Sequence, residues 1–197
     1  MRLALFDFDG TVARKDSFLD FLEFAVGRYR LFFGLACLSP ILIAYAMRIK
    51  SNSQAKTRVL SYFLGGWSVA DFEKIAADYS RLKLQSIIKP SALQRIQWHQ
   101  RLGHKVTIVT ASFEDYLRGW CTAHHLDVMG SRVEVNDGKL TGRIAGENCH
   151  GEEKVRRIKE HYPLKDFEYI YAYGDQPSDK VLKTIAHEFH YRSFGKD

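Results

Sequence analysis

Apolar and polar positions sort the chain into two regimes. Residues 2–8, RLALFDF, run apolar until they meet acidic side chains and Gly10, the pattern of a buried strand that delivers a loop. KVTIV at 105–109 and FEYIYAY before Gly174 repeat it. From Asp16 to about Gln85 the spacing is helical, broken at Gly65-Gly66, with Ser68 and Asp71 forming a capping signal. Pro90 opens a helix that Gly103 stops, and Ser112 is expected to cap the helix SFEDYLRGWCTAHH. Further helices are predicted from Glu152 to His161 and after GDQPSD, with a closing strand near EFHYRSF. SRVEV and KLTGRI flank Asn136-Asp137-Gly138, a hairpin turn. Strands alternate with helices outside the early helical block, so an α/β fold is expected, a parallel sheet with helices on both faces.

The 197 residues are 46% hydrophobic and 26% charged, ordinary globular usage that excludes a disordered or low-complexity chain. Cys37, Cys121 and Cys149 are odd in number and unpaired in spacing, which speaks for a reducing compartment. No signal-peptide core precedes Asp7, and a cytoplasmic protein is expected. The net charge of +6 becomes informative once located. Between Phe24 and Ala70 there is no Asp or Glu, while Arg28, Arg30, Arg48, Lys50, Lys56 and Arg58 carry the whole excess. Residues 24–70 therefore suit an anionic partner or a solvated basic face. Within them, Leu31 to Met47 is an uncharged run interrupted by Gly34, Ser39 and Pro40. A buried helical hairpin, an element lying on the inner face of a membrane, and a short span are the three readings open for it.

In a parallel sheet, ligands bind beyond the carboxyl ends of the strands, and here each strand end carries polar groups. The first ends in Asp7-Phe8-Asp9-Gly10-Thr11, the second in Thr110-Ala111-Ser112, and the late strand in Gly174-Asp175, with Ser178 and Asp179 following. Lys154 opens a helix between them. Asp7 and Asp9 in an otherwise apolar strand would be costly to bury without partners. Joined by Asp175, they make a hard-oxygen site suited to Mg2+. Cys121, His124, His125, Cys149 and His150 match no zinc spacing, and the basic segment holds no nucleic-acid recognition motif.

These residues resemble, in order, the four motifs of the haloacid dehalogenase-like hydrolase superfamily, over essentially the full chain. The helical insert and the hairpin resemble the branch that contains phosphoserine phosphatase. GENCHGEEKVRRI and the basic, apolar insert are most similar to the phosphatidylglycerophosphatase C-type group. The resemblance implies a Rossmann-like catalytic core, residues 1–12 and 88–197, with a helical cap over 13–87. It implies Asp7 as nucleophile, Asp9 as acid and base, and Thr110 and Lys154 as holders of phosphoryl oxygens, with donors near Ala111 and Ser112. Asp7, Asp175 and the Asp9 carbonyl would hold Mg2+, and Asp179 would orient them. Asp16 and Arg58 stand where the phosphoserine branch resembles this chain in its substrate-binding residues. Lys180, directly after Asp179, and Ser178, where an Asn is common, depart from the pattern; Lys159 competes with Lys154 by position alone.

The expected activity is Mg-dependent phosphomonoester hydrolysis through an aspartyl-phosphate. The favoured substrate is a phospholipid-head phosphate such as phosphatidylglycerophosphate, and the alternative is a small metabolite such as phosphoserine. Carbon–halogen hydrolysis would not need the acid Asp9, and a membrane-binding module with a vestigial site would not retain all of Asp7, Asp9, Lys154 and Asp175.

Overall fold

A computed structural model describes residues 1–47 and 49–195; Arg48, one of the six cations of the basic segment, lies outside the described residues. Five strands form one parallel sheet: β1 (Arg2–Phe6), β2 (Lys105–Phe113), β3 (Asp127–Ser131), β6 (Tyr169–Gly174) and β7 (Glu188–Tyr191), ordered β3-β2-β1-β6-β7. β1 is central and buried on both faces, which explains its continuous apolar run. Alternation divides its side chains. Ala4 and Phe6 join the cluster under α6 (Pro90–Arg101) and α7 (Glu114–Ala123). Leu3 and Leu5 face α8 (Glu152–His161) and Leu182. A separate antiparallel ribbon pairs β4 (Val133–Asn136) with β5 (Lys139–Ile144) across the Asp137-Gly138 turn, both residues at positive φ.

The helical block between β1 and β2 comprises α1 (Ser17–Val26), α2 (Arg28–Cys37), α3 (Ser39–Ala46), α4 (Asn52–Leu64) and α5 (Val69–Leu82), and a 3-10 turn at Leu84–Ile87. Its core is not its own. Phe21, Leu60, Phe63 and Tyr79 belong to the same apolar cluster as Phe6 and Ile108 of the sheet. Two seams lock the insert down. Ser80 Oγ accepts from Trp120 N at 2.7 Å, and the Gly66–Val69 loop exchanges main-chain bonds with β5.

Three expectations are corrected. β2 does not end at Val109 but runs to Phe113, so Ser112 is a strand residue and Phe113 takes the N-cap position of α7. The segment after Asp175 is a 3-10 helix, Pro177–Thr184, because Asp179 and Gln176 close a capping box over its first turn. β3, an edge strand, follows α7 where no strand is predicted.

Candidate active site

The carboxyl edge of the sheet gathers the polar strand ends into one site. Asp7 follows β1 directly and its main-chain N–H donates to Tyr173 O at 2.9 Å, so its position is set by the sheet. Lys154, in the first turn of α8, reaches it: Nζ lies 2.5 Å from Asp7 Oδ1 and 2.7 Å from Asp179 Oδ1. All three side chains are buried. Burial pushes the Asp7 carboxyl up, with Lys154 pulling against it. Burial likewise works against the Lys154 ammonium, but Asp7 and Asp179 more than offset it and hold the lysine protonated.

Asp7, Asp175 and Asp179 each offer a ligand atom, all within 4.8 Å of one another. Thr11 Oγ1 lies 3.3 Å from both Asp7 Oδ2 and Asp175 Oδ1. Asp179 Oδ2 is fixed by the main-chain N–H groups of Asp175 and Gln176, at 3.2 and 2.9 Å. Gly10, at φ +81°, makes this closeness feasible: a Cβ there would fall 2.3 Å from Asp175 Oδ2. Three carboxylates and no nitrogen or sulfur donor fit Mg2+, which favours hard oxygen ligands.

The Asp9 carboxylate turns away from that trio. Oδ1 accepts from Ser17 N at 2.7 Å and Oδ2 from the Ser112 hydroxyl, and Ser17 Oγ lies 3.0 Å from Ser112 Oγ. Burial raises the Asp9 carboxyl, Asp16 adds to the rise, and these hydrogen bonds oppose it. A half-buried carboxyl with an elevated pKa is suited to carrying a proton.

Thr110 is buried at the same edge, its Oγ1 accepting from Ser112 N at 3.0 Å. The Ala111 carbonyl accepts from Lys56 Nζ. Asp16 is exposed and caps α1, accepting from Leu19 N at 2.9 Å. Arg58 is not brought to this edge. It is exposed and lines a shallow cavity with Cys37, Leu38 and Pro40 on the outer side of α4. Lys159 is exposed on α8 as well. Cys121 and Cys149 belong to the clusters on opposite faces of the sheet, so the zinc grouping does not assemble.

Lys56, not Arg58, is the α4 cation that the structure brings to this edge. It reaches from α4 into the site with Nζ 4.3 Å from the Phe113 ring centroid, and burial pulls its pKa down to about 8 while Asp9 and Asp16 work against that. A signal for it was present: Lys56 stands in the apolar stripe of Ala55, Val59, Leu60 and Phe63, where a cation is out of pattern.

The buried Asp7–Lys154 pair, the Asp9 carboxyl and a cluster of three carboxylates thus meet at one edge of a parallel sheet, the arrangement expected of a hydrolase. The profile of the haloacid dehalogenase-like hydrolases matches residues 4–182, and the chain belongs to that family. It is 34% identical to the protein CicA of Caulobacter vibrioides, over 98% of this chain and 86% of that one. It is 29% identical to a Mycobacterium tuberculosis protein named as a probable phosphatase, over 93% of this chain and 66% of that one. A substrate-bound phosphoserine phosphatase structure shares the fold, with a TM-score of 0.67 at 21% identity, covering 96% of this chain and 84% of that one.

Proposed function

We propose that the protein, a phosphatase of the haloacid dehalogenase-like family, hydrolyses phosphomonoesters through a phosphorylated Asp7 with the help of Mg2+. The observation that carries this reading is the pairing of buried Asp7 with Lys154, beside an Asp9 whose pKa is raised. An Asp7 carboxylate oxygen attacks phosphorus, the P–O bond to the alcohol breaks, and Asp9 gives its proton to the departing alkoxide. Asp9, now a carboxylate, takes a proton from water; that water attacks the phosphorus, releasing inorganic phosphate and restoring Asp7. Lys154 and the Thr110 hydroxyl hold the phosphoryl oxygens as charge moves onto them. Asp7, Asp175 and Asp179 would hold the metal, which supplies further charge neutralisation when bound.

The favoured substrate is a phospholipid-head phosphate such as phosphatidylglycerophosphate, at an anionic membrane surface. Its support is the surface of the inserted helices, where Tyr29, Phe32 and Phe33 of α2 are exposed on the same short helix as the exposed Arg28 and Arg30, in a segment that also carries the exposed Lys50. A small zwitterion such as phosphoserine is the second reading, favoured by Lys56, a cation placed to meet a carboxylate. Phosphate release from phosphatidylglycerophosphate, phosphatidic acid and phosphoserine, with Mg2+ and with EDTA, tests both. Turnover is expected with Mg2+, to be lost with EDTA and in Asp7→Asn. Undiminished release by Asp7→Asn sinks the mechanism, and efficient turnover of phosphoserine alone sinks the lipid assignment.

A further inference from the structure

A cleft of about 810 Å³ opens beside Gly10, and Asp175 forms part of its wall. Four cations line it: Arg14 and Lys15 from the loop after β1, Lys89 just before α6, and Arg192 just after β7. Three of these cations are held by main-chain oxygens. Lys89 is only 6% exposed and its Nζ donates to Gly10 O at 2.5 Å. Arg14 Nη2 donates to Ile88 O at 3.3 Å, and Arg192 Nε to Asp175 O at 3.1 Å. Lys15 differs, being paired with Asp20 at 2.7 Å. Among the described residues Arg14, Lys89 and Arg192 form no ion pair.

A carbonyl orients a cation without neutralising it, and a buried ammonium lacking a counter-ion is expensive. Asp175 is the acidic residue in the wall; Thr11 and Gln176 hydrogen-bond its oxygens at 3.3 and 3.0 Å and the Lys89 charge acts on it, but one carboxylate cannot balance three cations. Arg192 is also held at φ +54°, a left-handed backbone that a non-glycine residue adopts at a cost, and its N–H is tied to Gly174 O at 2.9 Å. The fold thus spends stability to hold cations facing a cavity that begins at the catalytic carboxylates.

We propose that this cleft binds a second phosphate-type anion of the substrate, so that preferred substrates carry a phosphomonoester at Asp7 and a phosphodiester or second phosphate between Arg14, Lys89 and Arg192. Guanidinium groups match phosphate oxygens in paired hydrogen bonds, and the cationic wall exceeds what one carboxylate would neutralise. This rests on the phosphatase reading and narrows its substrate class.

The test compares kcat/KM for four soluble substrates: p-nitrophenyl phosphate, glycerol 3-phosphate, glycerophosphoglycerol phosphate and fructose 1,6-bisphosphate. Short-chain phosphatidylglycerophosphate is added as a lipid source of the diester. Substrates with the second anion are expected to exceed glycerol 3-phosphate by about tenfold or more, the worth of one or two charged hydrogen bonds. In Arg14→Gln/Arg192→Gln, two exposed positions, that advantage collapses through a rise in KM. Preference for the bisphosphate identifies a soluble source, and preference for either diester a lipid-head source; both support the site. Equal wild-type values, or an advantage that survives the double substitution, overturn it while leaving the phosphatase reading intact. Turnover of none of these substrates, p-nitrophenyl phosphate included, removes both.

Discussion

Lys154 holds two buried carboxylates at once, and its removal therefore has a structural and a chemical consequence. Lys154→Ala leaves Asp7 and Asp179 facing each other without a cation, which drives one of them to take up a proton. A protonated Asp7 cannot attack, and the charge that the lysine places on the phosphoryl oxygens is gone. The expected loss is about 10²–10³-fold in kcat, by analogy with removal of other oxyanion donors. Lys159→Ala, at an exposed position on the same helix, should change kcat less than about twofold, as surface substitutions do. Steady-state kinetics on any accepted phosphomonoester, with circular dichroism to check the fold, decides it; similar losses in the two variants would show that Lys154 has no special place. Asp7, Asp9 and Asp175 were legible in the sequence because carboxylates are conspicuous in or after apolar strands. Arg58 misled because two residues on a helix differ by about 200°, enough to exchange the inner face for the outer. Ser51 and Gln54 form a reciprocal capping box that fixes where α4 starts, and the apolar stripe of Ala55, Val59, Leu60 and Phe63 then decides which face turns inward.

At the scale of elements, the antiparallel ribbon acts as a clasp on the inserted helices. Gly142 of β5, at φ +76°, lies so close to α4 that a Cβ would fall 2.3 Å from Ser61 Cα. Gly138, at φ +70°, has nothing within 4 Å of the same position. The two glycines therefore separate conformational cost from steric cost. Gly138→Ala should lose only the backbone term, about 1–2 kcal/mol. Gly142→Ala adds the collision with helix backbone, another ~1–3 kcal/mol, and should loosen α4 and with it Lys56. Urea midpoints of the two variants measure the difference, and equal losses would mean that the ribbon does not clamp α4. The sequence showed the ribbon through Asn136-Asp137-Gly138 but not its role, since a local turn signal carries no information about what packs on it. β3 was missed for a related reason. An edge strand that pairs along one side only needs no continuous apolar run, and Asp127-Val128-Met129-Gly130-Ser131 has none.

For the whole molecule, the surface of α2 and α3 is the feature that burial within this chain does not explain. The uncharged run becomes two short helices bent by 68° around Leu38 and Pro40, and among the described residues no single helix is long and apolar enough to cross a membrane. Leu31, Leu35, Leu38 and Leu42 pack against the core cluster, so part of the run is used internally. The remainder is not: Tyr29 is 82% exposed, Phe32 69%, Phe33 66% and Met47 65%, and α3 has no buried residue. Such exposed apolar side chains, in a segment that carries the exposed Arg28, Arg30 and Lys50 and no Asp or Glu, suit insertion into the headgroup layer of an anionic bilayer. Each basic residue near such a surface contributes about 1 kcal/mol, and screening by salt removes that share. Wild type is expected to co-sediment with phosphatidylglycerol vesicles at low salt, weakly at high salt, and poorly with neutral vesicles. Arg28→Gln, Arg30→Gln and Lys50→Gln together should weaken partitioning by about 100-fold, three such contributions taken to 2–3 kcal/mol. Phe32→Ser/Phe33→Ser should weaken it at every salt concentration, because its loss is apolar rather than ionic. All five side chains are exposed, unlike the buried Asp7 and Lys154, so hydrolysis of a soluble aryl phosphate should fall much less than hydrolysis of vesicle-borne substrate. Wild type that ignores anionic vesicles at low salt would refute membrane docking.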